Sequence, residues 1–156
     1  MTIKRRLFMK GSLMGGLAGA AAATGLLTPQ QVYAAWPSKG FEAGAAGDAV
    51  SAVFGSDAAE ESADIAIKAP DIAENGAVVP VSVKTTLADV ESIAIVAEKN
   101  SSPLTAVFNL GKRTLPQVST RIKMGKTSNV IVYVKAGGKL YSAQKEVKVT
   151  IGGCGG

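Results

Sequence analysis

No histidine occurs in this 156-residue sequence, and the chain has one cysteine and few aromatic residues, which make up 5% of it. Without histidine, the chain lacks the commonest general base and the commonest metal ligand. A single cysteine excludes an internal disulfide, a zinc-ribbon site and a CxxCH haem attachment. These absences argue against a self-contained enzyme, and we expect neither a bound metal nor a cofactor.

The first 34 residues have the pattern of an export signal. A basic start that contains Arg5 and Arg6 leads into an apolar stretch of small residues, and Val32-Tyr33-Ala34 forms a small-x-small exit. The arginine pair, Phe8 and the glycines of the apolar stretch predict a twin-arginine signal that is cleaved after Ala34. An ordinary secretory signal is the alternative. We therefore expect a periplasmic protein with no membrane attachment after cleavage.

Removal of this signal changes the charge balance. Thirteen basic and twelve acidic residues remain, a net charge of +1, so the basic isoelectric point does not indicate nucleic-acid binding. The remaining charges are separated along the chain, because residues 35–98 carry a net charge of −8 and residues 99–156 carry +9. Either the two groups neutralise each other across the fold, or a basic surface attracts an anion or an acidic partner.

The hydrophobic periodicity predicts one helix followed by strands. Apolar residues recur near helical spacing over residues 41–54, and the period becomes two after Asp64. Turn signals such as Asn75-Gly76 separate about seven short strands, and the apolar run of residues 130–134 indicates a central one. We therefore predict an all-β, immunoglobulin-like antiparallel β-sandwich with one N-terminal helix over residues 35–151.

Residues 152–156 carry the chemistry that the sequence offers. The glycines around the lone thiol of Cys154 are Gly152, Gly153, Gly155 and Gly156. Glycine loses the most conformational entropy on ordering, so we predict a flexible arm. No Lys, Arg or His adjoins the thiol, which therefore needs another protein's site to activate it. The pattern indicates a non-catalytic carrier thiol on a narrow arm.

The run of residues 147–156 resembles the swinging arm of the SoxY family, the carrier proteins of the periplasmic Sox thiosulfate-oxidising system. Residues 72–76, 79–81, 118–122 and 143–145 are similar to that family as well. The resemblance covers most of the predicted mature chain, and a glycine-flanked cysteine arm is a specific feature.

The resemblance implies that Cys154 is the covalent attachment site for sulfur derived from thiosulfate. A c-type cytochrome, SoxXA, would couple thiosulfate to the thiol as a cysteine S-thiosulfonate. The dimanganese hydrolase SoxB would release sulfate, and the molybdenum sulfur dehydrogenase SoxCD would oxidise the remaining sulfane sulfur. The resemblance also implies a heterodimer with SoxZ, a second small β-sandwich that has no signal of its own.

Two other classes of protein stay open on the sequence alone. Ubiquitin-like sulfur carriers also use a Gly-Gly end, where they bear sulfur as a thiocarboxylate. An exported structural β-domain would instead form an intermolecular disulfide, and hence disulfide-linked dimers, through Cys154.

The twin-arginine interpretation predicts that replacing both Arg5 and Arg6 with lysine blocks export, because the transport machinery reads the arginine pair rather than its charge. Immunoblots of periplasmic and cytoplasmic fractions measure this, with Lys4→Arg as a control that keeps the pair. Normal export of the double variant would contradict the twin-arginine assignment.

Overall fold

The computed structural model describes residues 37–150, which form two short helices followed by nine β-strands. The helices are α1 (Ser38–Glu42) and α2 (Ala46–Phe54). The strands are β1 (Glu60–Glu61), β2 (Ile65–Lys68), β3 (Ile72–Ala73), β4 (Val79–Thr85), β5 (Val90–Ala97), β6 (Leu104–Asn109), β7 (Gln117–Ile122), β8 (Ser128–Ala136) and β9 (Lys139–Val149). Neither helix has the length and apolar character that a membrane span requires.

The strands form two sheets that enclose a shared core. One sheet has the order β1-β9-β8-β5-β6, with β3 also paired to β9, and the other has the order β2-β4-β7. The seven strands longer than two residues pair with one another only in the antiparallel sense. The predicted β-sandwich is thereby confirmed, and β8 occupies the central position that its apolar run indicated.

The two-residue strands β1 and β3 differ from the predicted antiparallel pattern, because both pair with β9 in parallel. Both lie along the same edge of β9. The chain between them leaves this edge and forms β2, which pairs with β4 of the other sheet. Two residues are too few to produce a periodic hydrophobic signal, so the sequence pattern does not reveal these pairings.

The core lies between the two sheets and is built mainly from valine and isoleucine. The predicted alternation in β4 is confirmed, since Val79, Val81 and Val83 are all buried. Strand β5 is buried on both faces, because Ile93 and Ile95 face the main core whereas its other side contacts the helical layer. The buried residues of this outer layer are Ala49, Val50, Ala94, Val96 and Leu104.

The helical region confirms the fold class but is divided into two helices rather than continuous over residues 41–54. The break lies at Ala43 and Ala45, whose backbones are extended, with ψ angles of 136° and 145°. The break allows Phe41 of α1 and Phe54 of α2 to pack against the same outer layer. The chain therefore forms two helices that both bury part of an aromatic side chain, instead of one uninterrupted helix.

Gly76 provides a test of the packing between the turn before β4, the loop after β7 and the end of β9. Its carbonyl accepts a 2.7 Å hydrogen bond from Met124 N, and a Cβ at this position would collide with Met124 O and lie 2.7 Å from Val149 Cγ1. We expect Gly76→Ala to reduce the free energy of unfolding by about 2 kcal/mol, since overpacking displaces backbone.

Urea unfolding measures the effect of this substitution. Gly44→Ala is the matched control, because a Cβ at Gly44 would meet nothing within 4 Å. We expect the control to change the free energy of unfolding by less than ~0.5 kcal/mol. Equal unfolding midpoints for the two variants would show that the contact at Gly76 is not tight.

Candidate functional site

The residues that the sequence singles out as functional lie outside the part of the chain that the structure describes. These are Cys154, Gly152, Gly153, Gly155 and Gly156 of the predicted arm, and Arg5, Arg6, Phe8 and Ala34 of the predicted signal. The structure instead defines the base of the arm, which is the end of β9 and Thr150.

One edge of β9 is held by the segment that contains β3. Lys148 N donates a 2.9 Å hydrogen bond to Asp71 O, and Thr150 N donates a 3.1 Å bond to Ala73 O. The parallel pairing of β3 thus continues one residue past the end of β9. The backbone at the base of the arm is therefore anchored on this side.

The other edge of β9 is held by β8 and by Thr127, the residue before β8. Val149 N donates a 2.9 Å hydrogen bond to Thr127 Oγ1, and this hydroxyl lies 3.4 Å from Val149 O. Val147 is fully buried in the core. Both edges are thus held close to Thr150. Because Thr127 and Val149 are 22 positions apart, no local sequence pattern predicts this contact.

A basic cleft of about 740 Å³ lies between the edge strands β6 and β7 and the loops that follow β5 and β7. Asn100 joins the two loops. Its Nδ2 donates a 2.7 Å hydrogen bond to Lys123 O, and its Oδ1 accepts a 2.9 Å bond from Gly125 N. One side chain thereby holds the shape of the cleft.

The charged residues that line the basic cleft are all cations. They are Lys99, Arg121, Lys123 and Lys126. The ion pairs of residues 37–150 lie elsewhere, with Lys135 Nζ 3.6 Å from Glu91 and Lys145 Nζ 3.0 Å from Asp71. The separated charges of the sequence are thus partly neutralised across the fold, and partly concentrated as unpaired positive charge in the cleft.

Within residues 37–150, no cluster of acidic, histidine or cysteine side chains has the composition of a metal site. One group in this range has a clearly altered pKa. Burial raises the pKa of Tyr133, and the negative charges of Asp57 and Glu98 raise it further. Tyr133 packs in the helical layer rather than in the basic cleft. The cleft itself is lined by four exposed cations, a charge that favours anions.

Comparison with known proteins identifies similar sequences and structures. The model of the family described as "Sulfur oxidation protein SoxY" matches residues 50–154. The chain is also similar to the structure of the sulfur carrier protein SoxY from Chlorobium limicola f thiosulfatophilum, with 53% identity and a TM-score of 0.61. That match covers 67% of this chain and 94% of the other.

A more distant likeness concerns the fold alone. A superoxide reductase (neelaredoxin) from Ignicoccus hospitalis, in its T24K form, is 17% identical, with a TM-score of 0.50. The match covers 55% of this chain and 79% of the other. A comparison with curated proteins produces no match.

Proposed function

The chain belongs to the SoxY family and is thus a sulfur carrier of sulfur oxidation, and from this membership we propose that Cys154 is the residue that carries the sulfur. One observation supports the assignment most directly. The family match extends to residue 154, which is the only cysteine in the sequence. The carrier function of the family and the one thiol in the sequence are both consistent with attachment at this position.

The anchored end of β9 suits this role. Thr150 is the last residue whose backbone bonds to the domain in the described range, and Cys154 follows four residues later. Four residues span about 13–14 Å when extended, at 3.3–3.6 Å each. A thiol with only glycine on either side is narrow enough to enter the site of an enzyme while the domain stays outside.

The proposed chemistry places all catalysis in the partner enzymes. The Cys154 thiolate and the outer sulfur of thiosulfate lose two electrons to the c-type cytochrome SoxXA and form a disulfide bond, which leaves a cysteine S-thiosulfonate. At the dimanganese enzyme SoxB, water then adds to the sulfonate group, sulfate leaves and a persulfide remains on Cys154. The molybdenum enzyme SoxCD oxidises this sulfane sulfur.

We place this cycle in the periplasm. The twin-arginine pattern around Arg5 and Arg6 supports the location, as does the Sox system that the family membership implies. Export in the folded state also allows a partner without a signal to cross the membrane bound to this chain.

Replacing the attachment atom tests the proposal. We expect Cys154→Ser to abolish thiosulfate-dependent reduction of the cytochrome in a reconstituted system, because a serine hydroxyl cannot form a disulfide bond. Intact mass spectrometry should show an adduct that reductant removes from the wild type, and no adduct on the variant. The melting temperature should be unchanged, since residue 154 lies beyond the packed strands.

The same measurements separate the alternative functions. An adduct that persists when Cys154 is alkylated would indicate a thiocarboxylate carrier. A homodimer that reductant dissociates, without any sulfur adduct, would indicate a structural domain joined by an intermolecular disulfide. Electron flow at the wild-type rate in Cys154→Ser would show that another group accepts the sulfur.

We further propose that SoxZ binds the outer face of the sheet β2-β4-β7. The helices cover the outer face of the other sheet, whereas this face lacks such a layer within the described residues. It is a shallow surface with small side chains at its centre, where Ser82 Oγ lies 2.8 Å from Ser119 Oγ. A flat, solvent-exposed sheet face of this kind suits packing against a second β-sandwich.

A bulky charge at the centre of this face should disrupt the complex. We expect Ser119→Arg to weaken binding of SoxZ at least about tenfold, because a guanidinium would be buried there without a partner. Ser38→Arg, on the exposed start of α1, is the control and should bind normally. Sedimentation of the mixed proteins measures both variants. Equal binding would exclude this face, and the absence of any complex at micromolar concentration would contradict the heterodimer.

A further inference from the structure

We propose that Asn100 and Thr127 are positioning residues for Cys154, and that they act in series. Asn100 fixes the loop of residues 123–127, which we call the clamp loop. Thr127, the last residue of this loop, fixes the end of β9, so that the predicted arm departs from a defined point. The enzymatic consequence of this arrangement rests on the proposed function, whereas its structural consequence does not.

The contact made by Thr127 takes the place of a backbone pairing. The ladder between β8 and β9 ends where Ser128 lies opposite Val147. Val149 lies beyond this last pair, yet its N–H donates a 2.9 Å hydrogen bond to the Thr127 hydroxyl. A side chain therefore extends the pairing of β9 past the end of β8. A hydroxyl can be removed by substitution, whereas the backbone carbonyls that hold the other edge of β9 cannot.

The clamp loop is fixed by a side chain from another loop. Asn100 Nδ2 donates a 2.7 Å hydrogen bond to Lys123 O, and Asn100 Oδ1 accepts a 2.9 Å bond from Gly125 N. Met124, between these two residues, is fully buried, and its N–H donates a 2.7 Å bond to a carbonyl of the turn before β4. Three successive residues are thus held, which restricts where Thr127 can lie two residues later.

Loss of the Thr127 hydroxyl should release the end of β9. The N–H of Val149 would lose its acceptor, and a donor without a partner favours separation of the strand end into water. Thr150, which is exposed, would then be held on one edge only, by its 3.1 Å bond to the segment of β3. Cys154 follows Thr150 by four residues and Lys148 by six. Release of the last two residues therefore lengthens the tether, and a −3/2 power dependence on tether length lowers the local concentration of the thiol about twofold.

Amide hydrogen exchange of Val149, followed by nuclear magnetic resonance, measures this release. We expect Thr127→Val, which replaces the hydroxyl by a methyl group of similar size, to raise the exchange rate at least about tenfold. Thr127→Ser keeps the hydroxyl and should exchange close to the wild-type rate. Thr105→Val is the matched control, because Thr105 is also half-buried and its hydroxyl donates a 2.8 Å bond to Ile95 O, away from β9. The control should leave the Val149 rate unchanged.

A double variant tests whether Asn100 acts through Thr127. We expect Asn100→Ala alone to raise the exchange rate of Val149 about three- to tenfold, and Asn100→Asp, which keeps the acceptor for Gly125 N, to have a smaller effect. In the Thr127→Val background, Asn100→Ala should add less than about twofold, because the hydroxyl through which it acts is already gone. Fully additive effects, or an unchanged rate in Asn100→Ala, would overturn the serial arrangement.

A nitroxide label on Cys154 measures the position of the thiol itself, and a chain with one cysteine takes the label at one site. In the wild type, paramagnetic broadening should be strongest at amides near the end of β9. In Thr127→Val it should weaken there and extend to amides farther from Thr150, since a tether of six residues reaches about 20–22 Å and one of four reaches about 13–14 Å. Thr127→Ser and Thr105→Val should keep the wild-type pattern. Identical patterns in all four proteins would contradict a positioning role.

Enzymatic loading separates position from chemical reactivity. In Thr127→Val we expect kcat/KM for loading by SoxXA to fall about twofold, with recovery in Thr127→Ser. Iodoacetamide should alkylate Cys154 at the wild-type rate in both variants, because the thiol itself is unchanged. An unchanged kcat/KM in Thr127→Val would overturn the enzymatic consequence. If SoxXA does not load the wild type, the proposed function is refuted, and the exchange and label measurements still decide the positioning role.

Discussion

Strand β9 is hydrogen-bonded along both edges, and the architecture of the molecule depends on this double pairing. On one side it forms the antiparallel ladder with β8, from Ser128 opposite Val147 to Ala136 opposite Lys139. On the other side, β1 and β3 close the edge that would otherwise be open. An unpaired sheet edge is a template for unwanted association. The same pairings that protect the sheet also fix the point from which the cysteine segment departs.

This double pairing fixes the point on the domain from which the predicted arm would depart. If the last residues of β9 separated from their neighbours, the tether that ends in Cys154 would be longer. The local concentration of the thiol near any one site would then fall. The hydroxyl of Thr127 and the carbonyl of Ala73 oppose fraying at the two residues where a strand end is weakest. The backbone is thereby held as far as Thr150, the last residue that the structure describes.

Strands with a periodic or continuous hydrophobic pattern could be predicted from the sequence. Pairings between residues far apart in the chain could not. Alternation in β4 and the apolar run in β8 identified buried strands, since each pattern is complete within one element. The parallel pairing of β3 with β9 joins residues about 76 positions apart, as Ile72 opposite Lys148 shows. Such pairings have no local signal, because they follow from the way the chain crosses between sheets.

The same distinction between local motifs and distant contacts applies to the candidate functional residues. A glycine-flanked cysteine is a contiguous motif, so the sequence alone predicts a role for it, and that role stays a prediction. The position of the basic cleft could not be predicted. Its cations come from the loop after β5, from β7 and from the loop after β7. The side chain of Asn100 joins the two loops by bonding to residues 23 and 25 positions away. The net charge of the second half of the chain indicated a basic surface without locating it.

The positive charge of that second half has two physical roles that the fold separates. Lys145 donates a 2.7 Å hydrogen bond to Ala69 O and lies 3.0 Å from Asp71, so it holds the edge segment against β9. Its charge is paired within the domain and is therefore not available to bind a ligand. The cleft cations lack such ion-pair partners in the described chain, so solvent and salt are what screen their mutual repulsion. An anion bound between these side chains would reduce the repulsion.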